Sequence, residues 1–132
     1  MRVSRYEDLD AWKLANALRK TVISLTSKPD VRVDRRFCDQ VRSSAASVTA
    51  NIAEGFGRYT DAEFLRFLRY ARGSAFETRE WLRDGLDREH FNQQSFDDAW
   101  ALLDRATGAV TRLAQEIDSR VRRQKATRRT PP

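Results

Sequence analysis

The sequence predicts an all-α protein, an antiparallel up-down-up-down four-helix bundle, on three observations. Apolar residues recur at steps of three and four along most of the chain, which is the spacing of one helix face. Proline occurs only at Pro29, Pro131 and Pro132, so little interrupts these patterns. No segment alternates apolar and polar residues as a half-buried strand does. A long two-helix coiled coil is the competing architecture, and Pro29 and the Gly55-Phe56-Gly57 turn break the chain too often for it.

The first predicted helix begins after Asp8 or Asp10 and runs to about Thr26. The apolar residues that share one of its faces are Ala11, Leu14, Ala15, Leu18, Val22 and Leu25. Pro29 has no N–H to donate and restricts the residue before it. We therefore expect residues 27–34 to form a connecting loop.

The second predicted helix spans residues 35–54, with Asp34 as its N-cap. Its apolar stripe consists of Phe37, Val41, Ala45, Val48 and Ile52. Gly55 is expected to end it, because glycine tolerates the left-handed conformation common at helix ends. Small side chains fill the middle of this helix, so a neighbouring helix can approach closely.

The third predicted helix starts at a capping box, Thr60 to Glu63. Its core seam is Phe64, Leu68, Ala71, Ala75, Thr78 and Leu82. A second set runs beside this seam: Phe67, Tyr70, Ser74 and Trp81. One helix of a monomeric bundle does not need two apolar seams, so Phe67, Tyr70 and Trp81 are predicted to form an oligomer interface.

The fourth predicted helix follows a loop from about residue 83 to residue 94 and starts at a second box, Ser95 to Asp98. Its heptad seam is Phe96, Ala99, Leu103, Ala106, Val110, Leu113 and Ile117. From residue 96 to residue 121 it would be roughly 39 Å long at ~1.5 Å per residue. The residues that follow either extend this helix or are disordered.

Composition excludes several classes of protein. With 132 residues, 40% of them hydrophobic, the chain forms one domain with a working core. One cysteine, Cys38, excludes an internal disulfide, and with a single histidine it cannot supply a Cys/His zinc site, so no metal or cofactor is expected. The longest uncharged stretch, residues 43–53, is shorter than the ~20 apolar residues of a membrane span. The first ten residues have no apolar signal region, so a cytoplasmic protein without a membrane partner is expected.

The excess positive charge lies entirely in the last fourteen residues. Six basic residues and no acid occur there: Arg120, Arg122, Arg123, Lys125, Arg128 and Arg129. Removing these six from the 25 basic residues leaves 19, equal to the 19 acidic residues of the rest. The chain therefore divides into a neutral bundle, residues 1–118, and a basic tail, residues 119–132. The tail is either a solubilising terminus or an arm that binds phosphates without sequence preference.

Three stretches of the chain resemble a known family when they are taken in order. They are residues 8–15, DLDAWKLA; residues 40–58, QVRSSAASVTANIAEGFGR; and residues 63–74, EFLRFLRYARGS, followed by Glu77. Together they resemble the four-helix bundle proteins encoded by intervening sequences in bacterial 23S ribosomal RNA genes, over about residues 6–121. The motif residues are Asn51, Glu54, Gly55, Arg58, Gly73 and Ser74.

The resemblance implies a cytosolic homopentamer with no established enzymatic activity. Similar bundles are accessory proteins of diversity-generating retroelements, in which a basic pentamer binds nucleic acid and a reverse transcriptase. This chain departs from the family pattern at Ser43, where arginine is frequent, and at Thr49, where proline is common. The first difference removes a positive charge from the second helix, and the second difference predicts a straighter helix.

Two groups of residues are candidates for chemistry. Asn51, Glu54 and Arg58 form either a polar site or, as we favour, the capping of a tight turn, since no nucleophile or metal ligand accompanies them. Arg83 and His90 match the short Arg/His spacing of helical toxin-type ribonucleases. Arginine is so frequent in this chain that chance produces such a match easily, and His90 lies in a predicted loop. We therefore predict no catalytic residues.

Two functions of different classes remain. In the first, the protein is a non-catalytic oligomer that binds nucleic acid, RNA above all, through its basic tails. In the second, it is a protein-interaction scaffold whose tail only keeps it in solution.

Overall fold

The computed structural model describes residues 3–129, which fold into four long helices and one short helix with no strand among them. A 3-10 helical turn, Tyr6–Asp8, precedes α1 (Asp10–Thr26), α2 (Pro29–Arg32), α3 (Arg35–Phe56), α4 (Asp61–Asp87) and α5 (Gln93–Arg129). The predicted all-α four-helix bundle is confirmed. The last three residues of the predicted tail, 130–132, lie outside the described residues.

The four long helices pack in a ring. Each of α3 and α5 lies beside both α1 and α4, whereas α1 and α4 lie diagonally across the ring, with no pair of their described Cα atoms within 8 Å. Hydrogen bonds show that α3 and α4 run antiparallel: Thr78 bonds to Ser44, and Ser74, which is earlier in α4, bonds to Ser47, which is later in α3. Every long helix therefore has two neighbours and buries one stripe.

The core lies along the axis of this ring. Its largest fully buried side chains include Leu18, Ile52, Leu68, Leu103 and Ile117, which come from all four long helices and lie within the stripes predicted from the sequence. The predicted helix faces are therefore confirmed. Their residues recur with a period of 3.6 because each helix buries one side in this shared core.

The segment between α1 and α3 is more ordered than predicted. Pro29 begins the one-turn helix α2, because proline at the first helical position loses no hydrogen bond and has a backbone angle suited to a helix. This turn buries Val31 completely. The prediction of a plain loop over residues 27–34 was therefore wrong for Pro29–Arg32.

The prediction that Gly55 ends the second long helix was also wrong. The helix continues to Phe56, its C-cap is Gly57, and no described glycine has a positive φ. Gly55 is instead needed for space. A Cβ atom built on Gly55 would lie 2.6 Å from Cβ of Phe67 and 3.3 Å from the carbonyl oxygen of Phe64, so α4 passes directly over this glycine.

The predicted start of α4 is confirmed, and the predicted start of α5 is wrong. The Thr60 hydroxyl oxygen accepts a hydrogen bond of 3.1 Å from the backbone N–H of Glu63. In α5, the cap is Asn92, whose side-chain oxygen accepts a bond of 2.8 Å from the N–H of Ser95, so the helix begins at Gln93. Since Asn and Ser are both good N-caps, the sequence did not distinguish them.

Helix α4 also extends about five residues into the predicted loop and ends at Asp87. Gly85 allows this, because a Cβ atom there would lie 2.4 Å from the ring of Phe91 and 2.7 Å from the ring of Phe37. The loop between α4 and α5 is therefore only residues 88–92.

Candidate nucleic-acid interface

The basic end of the chain is a helical extension of α5. Val121, 8% exposed, is the last buried residue of the described range 3–129, in which every residue from 122 to 129 is exposed. We call residues 122–129 the extension; at ~1.5 Å per residue it continues α5 by about 12 Å. Of the two forms left open by the sequence, the described part of the tail therefore adopts the helical one. Arg, Lys, Gln and Ala, which dominate it, are strong helix formers.

The foot of the extension is tied to the body by few contacts. The amide of Gln124 donates a hydrogen bond of 2.8 Å to a carboxylate oxygen of Asp61, at the start of α4. Arg120 pairs with Glu116 at 3.0 Å and Arg122 with Asp118 at 3.3 Å, each within one turn of α5. Exposed pairs of this kind are worth less than about 1 kcal/mol, so they do not prevent the arginines from taking a phosphate.

The outer cations are unpaired. Arg123, Lys125, Arg128 and Arg129 form no ion pair with any residue in the described range 3–129. The bundle, residues 1–118, is already neutral, so it does not need these four charges to balance its acidic residues. A cation without an acidic partner has no pairing energy to lose when it binds a polyanion, and each phosphate contact releases counterions from the polyanion.

The six cations lie on two sides of the helix. Arg120, Arg123 and Arg128 share one side with Gln124 and Thr127, and these five residues line a shallow depression. The spacing of three and four residues places Arg122, Lys125 and Arg129 on the opposite side. A phosphate backbone could therefore contact the helix from either side.

Tyr59, which no sequence pattern singled out, lies beside this surface. It belongs to the turn between α3 and α4 and is 102% exposed. Arg58, Tyr59 and Arg120 line one cleft of about 410 Å³. Neither the period of α3 nor that of α4 includes a turn residue, so the only signal available in the sequence was an aromatic residue next to an arginine in a glycine-containing turn.

The motif residues at the end of α3 contact one another or their own helix. The Asn51 amide donates to the carbonyl oxygen of Ser47 at 2.8 Å and to its hydroxyl at 3.0 Å. Glu54 pairs with Arg58 at 3.0 Å, and the Arg58 guanidinium lies 4.7 Å from the centre of the Phe67 ring. Among these contacts, only that of Arg58 with Phe67 joins the end of α3 to α4. The role of these residues in capping the turn stays a prediction.

Hydroxyl groups join α3 and α4 along their contact. The Ser47 and Ser74 hydroxyls are 2.8 Å apart, and the buried Thr78 hydroxyl donates to Ser44 at 3.0 Å. We call these four residues the hydroxyl seam. The motif residue Ser74 therefore packs between helices, whereas a Cβ atom on the motif residue Gly73 would have no neighbour within 4 Å.

The predicted interface residues differ in exposure. Phe67 is only 7% exposed and lies over the space left by Gly55. Trp81 is partly buried, with its ring 6.3 Å from that of Phe37, and Tyr70 is 51% exposed. Their role in oligomerisation stays a prediction, with Tyr70 as the member of the set that presents most surface.

Arg83 and His90 have separate partners. The Arg83 guanidinium lies 5.4 Å from the centre of the Trp100 ring, on the side of α5. His90 Nε2 lies 2.8 Å from a carboxylate oxygen of Asp34, on the side of α3, and the His90 side chain is 14% exposed. The hydrogen bond with His90 holds the pKa of the Asp34 carboxyl below its usual range, against the effect of burial.

Three other possibilities were a reactive thiol, a metal site and a membrane-spanning helix. Burial raises the pKa of the Cys38 thiol, so little of it is the reactive thiolate. No group of three or more His, Cys, Asp or Glu side chains within residues 3–129 is placed to hold a metal ion. No helix of that range has both the length and the apolar character needed to cross a bilayer.

Comparison with known protein families gives a match over most of the chain. A family model described as 23S rRNA-intervening sequence protein matches residues 7–112, which includes α1 to α4 and more than half of α5. No curated protein matches the chain. The extension lies beyond the matched range.

Proposed function

The chain belongs to the 23S rRNA-intervening sequence protein family, and we propose that it binds RNA without sequence preference and without catalysis, through the extension of α5. One observation carries the proposal: a charge-balanced bundle ends in an exposed helix whose four outer cations, Arg123, Lys125, Arg128 and Arg129, have no acidic partner in residues 3–129. Such a helix neutralises phosphates and contains no shaped pocket that would read bases.

Oligomerisation is part of the proposal, because several extensions on one particle bind RNA tightly even when each extension binds it weakly. Each chain carries six cations from Arg120 to Arg129. In the homopentamer implied by the resemblance, five chains would present about 30 such charges to one strand. Linked arms raise the effective concentration of one another, so the assembled particle binds far more tightly than a single extension does.

The test neutralises the outer cations without changing the helix. In the variant Arg123→Gln, Lys125→Gln, Arg128→Gln, Arg129→Gln, the strong helix propensity is kept and four charges are removed. Truncation at Asp118 is less informative, since it also removes the buried Val121. Binding of a labelled generic RNA is measured by fluorescence anisotropy at several salt concentrations. We expect affinity to fall at least about tenfold at 0.1 M salt, and the salt slope to fall by about 3, which corresponds to ~0.7 per lost contact on a single strand.

A matched control removes the same number of charges from the body. Arg32, Arg35, Arg36 and Arg105 are all exposed, and their replacement by Gln gives the same net charge. We expect this control to keep most of the affinity. Equal losses in the two variants would show that only net charge matters and would refute the extension as the binding element.

The scaffold hypothesis and the ribonuclease hypothesis have their own outcomes in the same experiment. If the unchanged protein binds no RNA at low salt, the proposal fails and a protein-interaction scaffold is favoured. If the RNA is cleaved, and His90→Ala abolishes the cleavage, the proposal of a non-catalytic role fails instead. A reverse transcriptase as partner is an implication of the resemblance and needs its own binding assay.

A further inference from the structure

Tyr59 differs from the aromatic residues around it. Phe56 lies edge-on to Tyr6 at 6.4 Å and to Phe64 at 6.0 Å, so these rings share contacts. Tyr59 has no ring contact with another described aromatic residue and is 102% exposed, so no part of the described chain covers either face of its ring. An uncovered aromatic ring in a turn contributes nothing to the packing of this chain.

The ring lies on the same surface as the cations of α5. Arg120 lines both the cleft that contains Tyr59 and the depression that continues along Arg123 and Arg128. Two acids share this surface, and both are already engaged. Glu116 pairs with Arg120 at 3.0 Å, and Asp61 accepts the Gln124 amide at 2.8 Å.

We propose that this surface takes a single-stranded nucleic acid, with one base stacked on the ring of Tyr59 and the neighbouring phosphates on the side of α5 formed by Arg120, Arg123 and Arg128. This inference rests on the proposed function and specifies its ligand. A base offers its flat face only when it is unpaired and unstacked, so a duplex cannot use the ring. Stacking is tolerant of base identity, which agrees with binding without sequence preference.

The charge beside the ring favours a nucleic acid over a protein as the occupant. An exposed tyrosine alone could equally be covered by an apolar protein side chain. Arg123 and Arg128, which have no ion pair within residues 3–129, line the depression that shares Arg120 with this cleft. A protein partner that covered them would desolvate their charges without compensation, whereas a strand supplies phosphates beside its bases. RNA and DNA strands share this chemistry, so both are used in the test.

The experiment compares strand and duplex binding in three variants of the full chain. The probes are a labelled 15-nucleotide strand without self-complementarity, as RNA and as DNA, and the RNA duplex of the same sequence. The variants are Tyr59→Ala, Tyr59→Phe, which keeps the ring, and Val33→Ala, which shortens another exposed apolar side chain. Because Tyr59 is 102% exposed and Val33 is 76% exposed, we expect all three variants to unfold at the same temperature as the unchanged protein.

We expect Tyr59→Ala to weaken binding of both single strands by about five-fold to a hundred-fold, the usual loss for one stacked base. Tyr59→Phe and Val33→Ala should stay within about twofold, and duplex binding should not change in any variant. The salt slope should also be unchanged in Tyr59→Ala, since no charge is removed.

The outcomes separate this inference from the proposed function. Unchanged strand binding in Tyr59→Ala, or equal losses for strand and duplex, overturns the stacking inference alone, provided that the glutamine variant of the extension still loses affinity. If the unchanged protein binds neither strand, or if the glutamine variant binds as well as its control, the proposed function fails and the inference fails with it.

Discussion

Replacement of Gly55 by alanine tests the close approach of α3 and α4. Alanine in place of glycine inside a helix stabilises by about 1 kcal/mol through backbone entropy alone. At Gly55 the new Cβ would lie 2.6 Å from Cβ of Phe67, whereas carbon atoms pack at about 3.5–4.0 Å. The obstacle is an atom next to the backbone of α4, so the two helices must separate by roughly 1 Å, and such overpacking costs about 1–3 kcal/mol.

Gly73 supplies the matched control. A Cβ there meets nothing within 4 Å, so Gly73→Ala should gain the helix propensity without a steric cost. The difference between the two variants isolates the overpacking. We expect Gly55→Ala to be about 1–3 kcal/mol less stable than Gly73→Ala.

The assay is urea unfolding followed by far-ultraviolet circular dichroism, with each variant at two protein concentrations, because association of folded chains would stabilise them. Equal stability of the two variants would refute the argument that Gly55 is required for space. A loss of stability in Gly73→Ala that depends on protein concentration would instead place a second copy of the chain against α4.

Three further predictions concern the body of the bundle. Thr78→Val removes the donor to Ser44 and should lower the free energy of unfolding by about 1 kcal/mol, measured in urea; a change below about 0.5 kcal/mol, the usual value for exposed sites, would contradict it. The pKa of Asp34 is lowered in the folded state by His90, so its stabilisation is present above about pH 4 and is lost as the pH falls further. Asp34→Asn, which keeps an N-cap, should flatten the acid side of the stability curve, and an unchanged slope would show that the contact is irrelevant. Cys38 is buried and its thiol pKa is raised, so iodoacetamide at pH 8 should label it far more slowly in the folded protein than in urea; equal rates would disprove its burial.

The helix faces could be predicted from the sequence because one core imposes one period on all four helices. Residues such as Leu18, Leu68 and Leu103 were assigned correctly without knowledge of their neighbours. Helix ends were harder, because they depend on which of several side chains reaches a free N–H. Asn92 and Ser95 are chemically equivalent caps, and only the fold decides between them.

The small side chains of the second predicted helix indicated a close neighbour, but the pairs of side chains that meet between helices could not be predicted, because no local pattern encodes them. Phe67 was assigned to a surplus seam, yet it is buried, since Gly55 on another helix leaves room for it. The cations of the tail were found from composition, but their helical order was left open. Tyr59 was not identified, because the exposure of a turn residue depends on the directions in which both adjoining helices leave it.

The arrangement of cations around the extension has a consequence for how its length can vary. Deleting one residue after Val121 turns everything beyond it by about 100° about the helix axis. Arg123 and Arg128 lie on one side of the helix, and Lys125 and Arg129 lie on the other. Rotation about the helix axis therefore leaves a cation on both sides. A one-residue deletion in the extension would therefore still leave cations on both sides of the helix, as the proposed contact with phosphates requires, whereas a one-residue deletion within the hydroxyl seam would move every later partner out of register.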